Sequence, residues 1–146
     1  MTIAVRGYAA RDSAACRALF DRNCPAYFAP NERADFADYL AMSGHNYRVC
    51  ERDGAVMAAF GVVMHAPGRA RLNWIMVDPE AHGGGIGAAI LAEAREQARR
   101  AGAEAIDIAA SHLSAPFFAR FGAQQTRHVE HGWGPDMHRV DMVLEL

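Results

Sequence analysis

The chain has 146 residues, 51% of them hydrophobic, and a net charge of -2. That length and apolar fraction predict one globular domain over residues 1–146, and the near-neutral balance excludes bulk binding to nucleic acid, which leaves a strongly basic domain. No apolar run reaches the ~20 residues of a membrane helix, and residues 1–13 lack the basic-then-apolar layout of a signal peptide. The three cysteines, Cys16, Cys24 and Cys50, form no CxxC pair and make neither a disulfide framework nor a zinc site. The expectation is a reduced, cytoplasmic protein with no membrane partner.

A first strand is predicted over residues 3–9, followed by a helix with Asp12 at its N-cap and Ala15, Leu19 and Phe20 on its apolar face. Pro25 stops that helix. The loop 25–30 carries Tyr27 and Phe28 between two prolines. Asn31 is placed to cap a second helix, with Phe36, Tyr39 and Leu40 at i, i+3 and i+4 and Gly44 at its end. Strands over 47–51 and 55–64 flank Asp53-Gly54, a two-residue hairpin signal, and Pro67-Gly68 turns the chain into a strand over 70–77. A glycine cluster leads into a long helix ending near Arg100, closed by Gly102. A strand over 105–110, a short helix over 114–120 and strands over 127–130 and 138–146 complete the chain. The order β-α-α-β-β-β-α-β-α-β-β mixes hairpins with β-α units and predicts an α/β fold with a mixed sheet.

The stretch from Val77 to Ala88 carries the chemistry: Val77-Asp78-Pro79-Glu80-Ala81-His82-Gly83-Gly84-Gly85-Ile86-Gly87-Ala88. Glycines let backbone approach a ligand closely and take positive φ without a Cβ penalty. The helix that follows offers unpaired N–H groups and the positive end of its dipole, an anion site suited to a pyrophosphate. The loop lacks the Lys-Ser/Thr of a P-loop, which excludes a magnesium-held nucleoside triphosphate, and it follows three antiparallel-type strands, not the first strand of a dinucleotide-binding unit. A turn that only lets strand and helix pack is the other reading of the same glycines.

With these residues the chain resembles the GNAT superfamily of acyl-CoA-dependent N-acetyltransferases. Its Gln/Arg-x-x-Gly-x-Gly/Ala motif reads here His82-Gly83-Gly84-Gly85-Ile86-Gly87, after Val77-Asp78-Pro79. The first position departs, with His82 in place of Gln or Arg. Phe117-Phe118-Ala119-Arg120-Phe121-Gly122 is similar to the family's short helix after strand five, and residues 141–146 to its last strand. The resemblance implies a mostly antiparallel central sheet with helices on both faces. It implies acetyl-CoA as acyl donor, its pyrophosphate held by His82, Gly83, Gly84, Gly85, Ile86, Gly87 and Ala88. Its pantetheine would run along Ile75, Met76 and Val77 where two strands splay, with Ser111, Phe117 and Phe118 near the thioester. No metal is implied. A homodimer is also expected, from the resemblance and from the apolar last strand, whose edge would meet a partner.

Direct attack of an amine on a thioester needs a deprotonated amine and a polarised carbonyl. Candidate groups to act on the amine are His112, Asp78, Glu80 and Asn73. Each also reads as an ordinary turn or surface residue. His128, Glu130, His131 and His138 are too scattered over a strand–loop–strand to make a metal site. Tyr27, Phe28 and Trp133 are candidates for the acceptor pocket, or else plugs over the sheet ends. The sequence thus points to an N-acetyltransferase acting on a small-molecule or peptide amine. An acyl-CoA-binding sensor with little catalysis is the alternative.

Overall fold

The computed structural model describes residues 2–81 and 85–146. Seven strands in these residues form one sheet: β1 (Ile3–Gly7), β2 (Tyr47–Arg52), β3 (Ala55–Ala66), β4 (Arg69–Val77), β5 (Ala105–Ser111), β6 (Gln124–Gly134) and β7 (Met137–Glu145). The spatial order is β1-β2-β3-β4-β5-β7-β6, and the β4–β5 pair alone is parallel. The helices among the described residues are α1 (Ser13–Arg22), α2 (Arg33–Ser43), α3 (Ile86–Arg100) and α4 (Ala115–Arg120). No helix among these residues is long and apolar enough to cross a membrane.

Each face of the sheet buries its own core. On one, Ile86, Ile90, Leu91, Ala94 and Ala98 of α3, together with Phe118 of α4, pack over Phe60, Leu72, Ile106, Ile108 and Met142. On the other, Cys16, Leu19 and Phe20 of α1 and Phe36 and Leu40 of α2 pack over Tyr47, Val49, Ala59 and Met76. The helical stripes repeat every three to four residues, as a helix with one buried face requires. Asp53 and Gly54 both take positive φ, as a type I′ hairpin turn demands. All three cysteines are free, and burial pushes the Cys16 thiol up to about 12.

The fold differs locally from the sequence reading in four places. Asp12 stands before α1, but its side chain closes the turn Ala10–Asp12 by accepting the Ala9 N–H and makes no cap bond to α1. β6 extends well beyond residues 127–130; nearly all its side chains are exposed, so no inside–outside alternation marks it. Asn31 does not cap α2: the Glu32 carboxylate accepts the Ala29 N–H at 2.8 Å, and Asn31 donates instead to the Trp133 carbonyl at 3.4 Å. β7 lies between β5 and β6, so the last strand has no free edge for a partner; the sheet edges belong to β1 and β6.

The feature that shapes the site is an irregularity in β4. Ala59 faces Met76 and Gly61 faces Asn73, so β3 places one residue, Phe60, where β4 places two, Trp74 and Ile75. Trp74 takes φ +45°, a conformation costing on the order of 1–3 kcal/mol for a residue with a side chain. The buried Tyr47 hydroxyl donates to the Trp74 carbonyl at 2.6 Å. Phe36, Phe28 and Tyr39 pack their rings 5.1, 6.0 and 6.2 Å from the indole. Gly61 completes the fit, since a Cβ there would meet the Tyr39 hydroxyl at 2.7 Å.

A second joint ties β1, β2 and α1. The Arg6 guanidinium donates to Glu51 at 2.6 and 2.9 Å and to both oxygens of the buried Asp12 at 2.8 and 2.9 Å. Asp12 also accepts the Ala9 N–H at 2.8 Å.

Two outcomes follow from these contacts. Tyr47→Phe leaves the Trp74 carbonyl without its donor and is expected to cost about 1–3 kcal/mol, a fall in Tm of roughly 2–4 °C per kcal/mol for a chain near this size, read by thermal and urea denaturation. The second concerns acid. Hydrogen bonds from Arg6 hold the Asp12 carboxyl down at about 2, below the ~3.9 of an unfolded chain. A depressed folded value gives stability that is present above the unfolded value and lost as pH falls through the folded one. Urea stability is therefore expected to drop between about pH 4 and pH 2, and Asp12→Asn, less stable at neutral pH, to show a shallower drop over that window.

Candidate active site

β4 and β5 pair from Arg69↔Ala105 to Leu72↔Ile108 and no further. Past that point β4 continues to Val77 against β3, and β5 continues to Ser111 against β7. The two strands part where β4 bulges, and their facing edges carry backbone N–H and C=O groups with no strand partner. A cavity of about 1090 Å³ fills the opening. Trp74, Ile75, Met76 and Val77 line one wall and Ala109, Ala110 and Ser111 the other. Backbone edges of this kind accept an extended, amide-bearing chain as a strand would.

On the α3–α4 side the cavity is bounded by Gly87, Phe117 and Phe118. Gly85, at φ +82°, precedes the first turn of α3 and has open space where a Cβ would stand. Gly87 has none: a Cβ there would lie 2.6 Å from the Phe117 ring, so glycine allows α3 and α4 to meet. Ile86 is buried in the core and Ala88 is exposed. His82, Gly83 and Gly84 lie outside the described residues. The turn from β5 into α4 is held by Ser111 and Ser114, whose side chains accept each other's backbone N–H at 3.1 and 3.0 Å.

The opposite side is aromatic. Tyr27, Phe28 and Trp133 come from two separate parts of the chain to line the same cavity as Trp74. The Trp133 indole donates to the Ala110 carbonyl at 2.9 Å, which ties the β6–β7 end to β5.

The four polar candidates are not brought together. Asn73 is half-buried and lines the cavity. Asp78 is buried, but one carboxylate oxygen meets the Arg22 Nε at 2.9 Å and the other accepts the Glu80 N–H at 2.9 Å, so it caps the turn Pro79–Ala81. Glu80 is exposed. His112 stands outside the cavity lining; its ring lies 4.7 Å from that of His138, and its Nδ1 accepts the His138 N–H at 3.2 Å.

The histidines around it continue this pattern. His138 Nδ1 accepts the His131 N–H at 3.0 Å, and His131 Nδ1 accepts the Asp136 N–H at 2.9 Å. An imidazole accepting at Nδ1 carries its proton on Nε2, the opposite of what ligation through Nε2 requires. Among the described residues no group of three or more side chains is arranged to hold a metal ion.

Sequence reasoning missed Trp74 and Glu32, both on the cavity wall. Nothing in Leu72-Asn73-Trp74-Ile75 signals a bulge. For Glu32 a signal existed: an acid three residues after Ala29, with Pro30 opening the turn, is the spacing of a capping residue.

Compared with known proteins, residues 14–123 match the Acetyltransferase (GNAT) family, and the chain belongs to that family of acyltransferases. No curated protein matches it. Among solved structures, Ard1 from Thermoplasma volcanium superposes with a TM-score of 0.84 at 13% identity, over 100% of this chain and 99% of that one. The ribosomal-protein-S18-alanine N-acetyltransferase from Escherichia coli gives 0.78 at 18% identity, over 99% and 94%. N-acetylglutamate synthase from Neisseria gonorrhoeae, complexed with coenzyme A and N-acetyl-glutamate, gives 0.77 at 19% identity, over 100% of this chain and 36% of that one. At these identities the likeness is one of fold.

The Arg22–Asp78 contact yields a prediction. Arg22→Ala leaves a buried carboxylate without its cation; because Arg22 is 44% exposed, the expected loss is about 1–2 kcal/mol, below the range for fully buried pairs. Urea denaturation of Arg22→Ala against the parent measures it.

Proposed function

We propose that the protein transfers the acetyl group of acetyl-CoA to a primary amine by direct attack of the amine on the thioester. The observation that carries this reading is the parting of β4 and β5 at the Trp74 bulge, beside the glycine-led N-terminus of α3. Bound there, acetyl-CoA supplies an acetyl group already activated as a thioester.

In this reading the N-terminus of α3, at Gly85, Ile86, Gly87 and Ala88, holds the pyrophosphate through backbone N–H groups and the helix dipole. The remaining motif residues, His82, Gly83 and Gly84, belong to the same proposed site. The free edge of β4 at Ile75, Met76 and Val77 pairs with the pantetheine amides. An N–H of that edge polarises the acetyl carbonyl, as a fixed backbone dipole does without reorganising. Phe117 and Phe118 exclude water from the sulfur end, and Ser111 positions the β5–α4 turn that carries them. The amine enters from the side of Tyr27, Phe28 and Trp133. Of the four polar candidates, Asn73 is the one on the cavity wall; it orients the amine or a water and takes no proton. His112, Asp78 and Glu80 act through intervening water, which carries away the proton released by the amine.

Phe118 has no proton to give a departing thiolate. A thiol pKa of about 8.5 makes the thiolate a tolerable leaving group near neutral pH, and water can protonate it afterwards. The same absence favours the second reading, an acyl-CoA-binding sensor with little catalysis. Free-thiol release with acetyl-CoA and a panel of amines separates the two: binding without release on any amine supports the sensor.

The glycine loop gives the direct test. Gly85→Val places a β-branched residue at φ +82° and is expected to weaken CoA binding by about tenfold or more, as loss of charge-assisted hydrogen bonds to an anion would. Calorimetric titration with CoA measures it, and unchanged affinity in the variant removes the loop from the site.

A further inference from the structure

Glu32 is 8% exposed and lines the cavity. Among the described residues, the only hydrogen bond of its carboxylate is the one that Oε2 accepts from the Ala29 N–H. Among the described residues no Lys, Arg or His forms an ion pair with it. A buried carboxylate without a cation is costly, and the charge of Asp35 adds to the cost. Turn closure by itself does not require a charge, because a neutral amide oxygen accepts an N–H equally well.

The cations that line the same cavity are engaged elsewhere. His65 lies 2.6 Å from Asp107, Arg139 3.0 Å from Asp141, and Arg120 sits over the Phe117 ring. Arg71 approaches His65 at 3.4 Å. All four come from β3–β5, α4 and β7, whereas Glu32 belongs to the α1–α2 side. The aromatic wall stands on that side too, with Phe28 and Trp74 stacked at 6.0 Å. A carboxylate and aromatic rings that line one cavity suit an organic ammonium, which gains an ion pair and a cation–π contact together.

We infer that Glu32 is the binding group for the acceptor's ammonium, and that the acceptor is a primary amine on an apolar, ring-sized body. This rests on the acetyl-transfer reading for the word acceptor, and on the cavity alone for the ammonium site. Burial pushes the Glu32 carboxyl up; the bound ammonium releases a proton to water before its nitrogen, now the neutral amine, attacks the thioester.

The test is equilibrium binding to the whole chain without acetyl-CoA, followed by calorimetry or by fluorescence of Trp74 and Trp133. The probes are phenethylamine, its neutral counterpart 2-phenylethanol, and CoA. Glu32→Gln keeps an oxygen for the Ala29 N–H and removes the charge. It is expected to weaken phenethylamine by about tenfold or more, leaving 2-phenylethanol and CoA unchanged. Equal phenethylamine affinity in the two proteins overturns the inference. So does a wild-type protein that ignores phenethylamine or binds it no better than the alcohol, an arm that stands even if Glu32→Gln fails to fold. Failure of CoA to bind while phenethylamine binding depends on Glu32 overturns the acetyl-transfer reading and leaves the ammonium site standing.

Discussion

The site depends on one hydrogen bond and the strand distortion it holds. Tyr47, the first residue of β2, is buried against Phe36 and Tyr39 of α2, and its hydroxyl donates to the Trp74 carbonyl. That bond fixes the extra residue of β4 in a conformation the chain would otherwise avoid. Once β4 carries two residues against one of β3, it can no longer stay in register with β5, and the parallel pair ends at Leu72. The cavity is the space left where the pairing fails. Sheet pairing is thus given up along two interior strand edges, which leaves backbone groups for water or, in the proposed function, for a ligand to pair.

The two cores explain why this gap does not spread. α3 and α4 clamp β4, β5 and β7 from one side through Leu72, Ile108 and Met142, while α1 and α2 hold β2, β3 and the upper half of β4 from the other. The cavity therefore lies between rigid walls and has two chemically different sides. On one, helix N-terminus and small residues suit an anion; on the other, aromatic rings and the Glu32 carboxylate suit a cation. In the proposed reaction an acyl donor and an amine acceptor approach from these opposite sides and meet at the Trp74 bulge.

Much of this was legible in the residues. Helix and strand order follow from periodicity and from Asp53-Gly54, Pro67-Gly68 and Gly102, each of which sits where its backbone geometry is needed. Of the glycines at the start of α3, the structure accounts for Gly85 by its positive φ and for Gly87 by the close approach of the Phe117 ring. The bulge was not legible: Asn73-Trp74-Ile75 reads as uninterrupted strand, and the hydroxyl that holds the irregularity belongs to Tyr47, 27 positions away. Nor could the sequence tell that Asp78 meets Arg22, or that His112 turns toward His138, because both contacts are tertiary. Tyr27 and Phe28 stand in a loop and Trp133 in β6, and their shared cavity emerges only from the fold.

The central claim is that the parted edges of β4 and β5 receive the pantetheine arm of CoA. Amide hydrogen exchange, resolved by residue and measured with and without saturating CoA, tests it most directly. The account predicts that amides in 73–77 and 109–111 slow when CoA binds, while those in the paired segment 69–72 stay as they were. CoA binding that leaves exchange in 73–77 and 109–111 unchanged would contradict it.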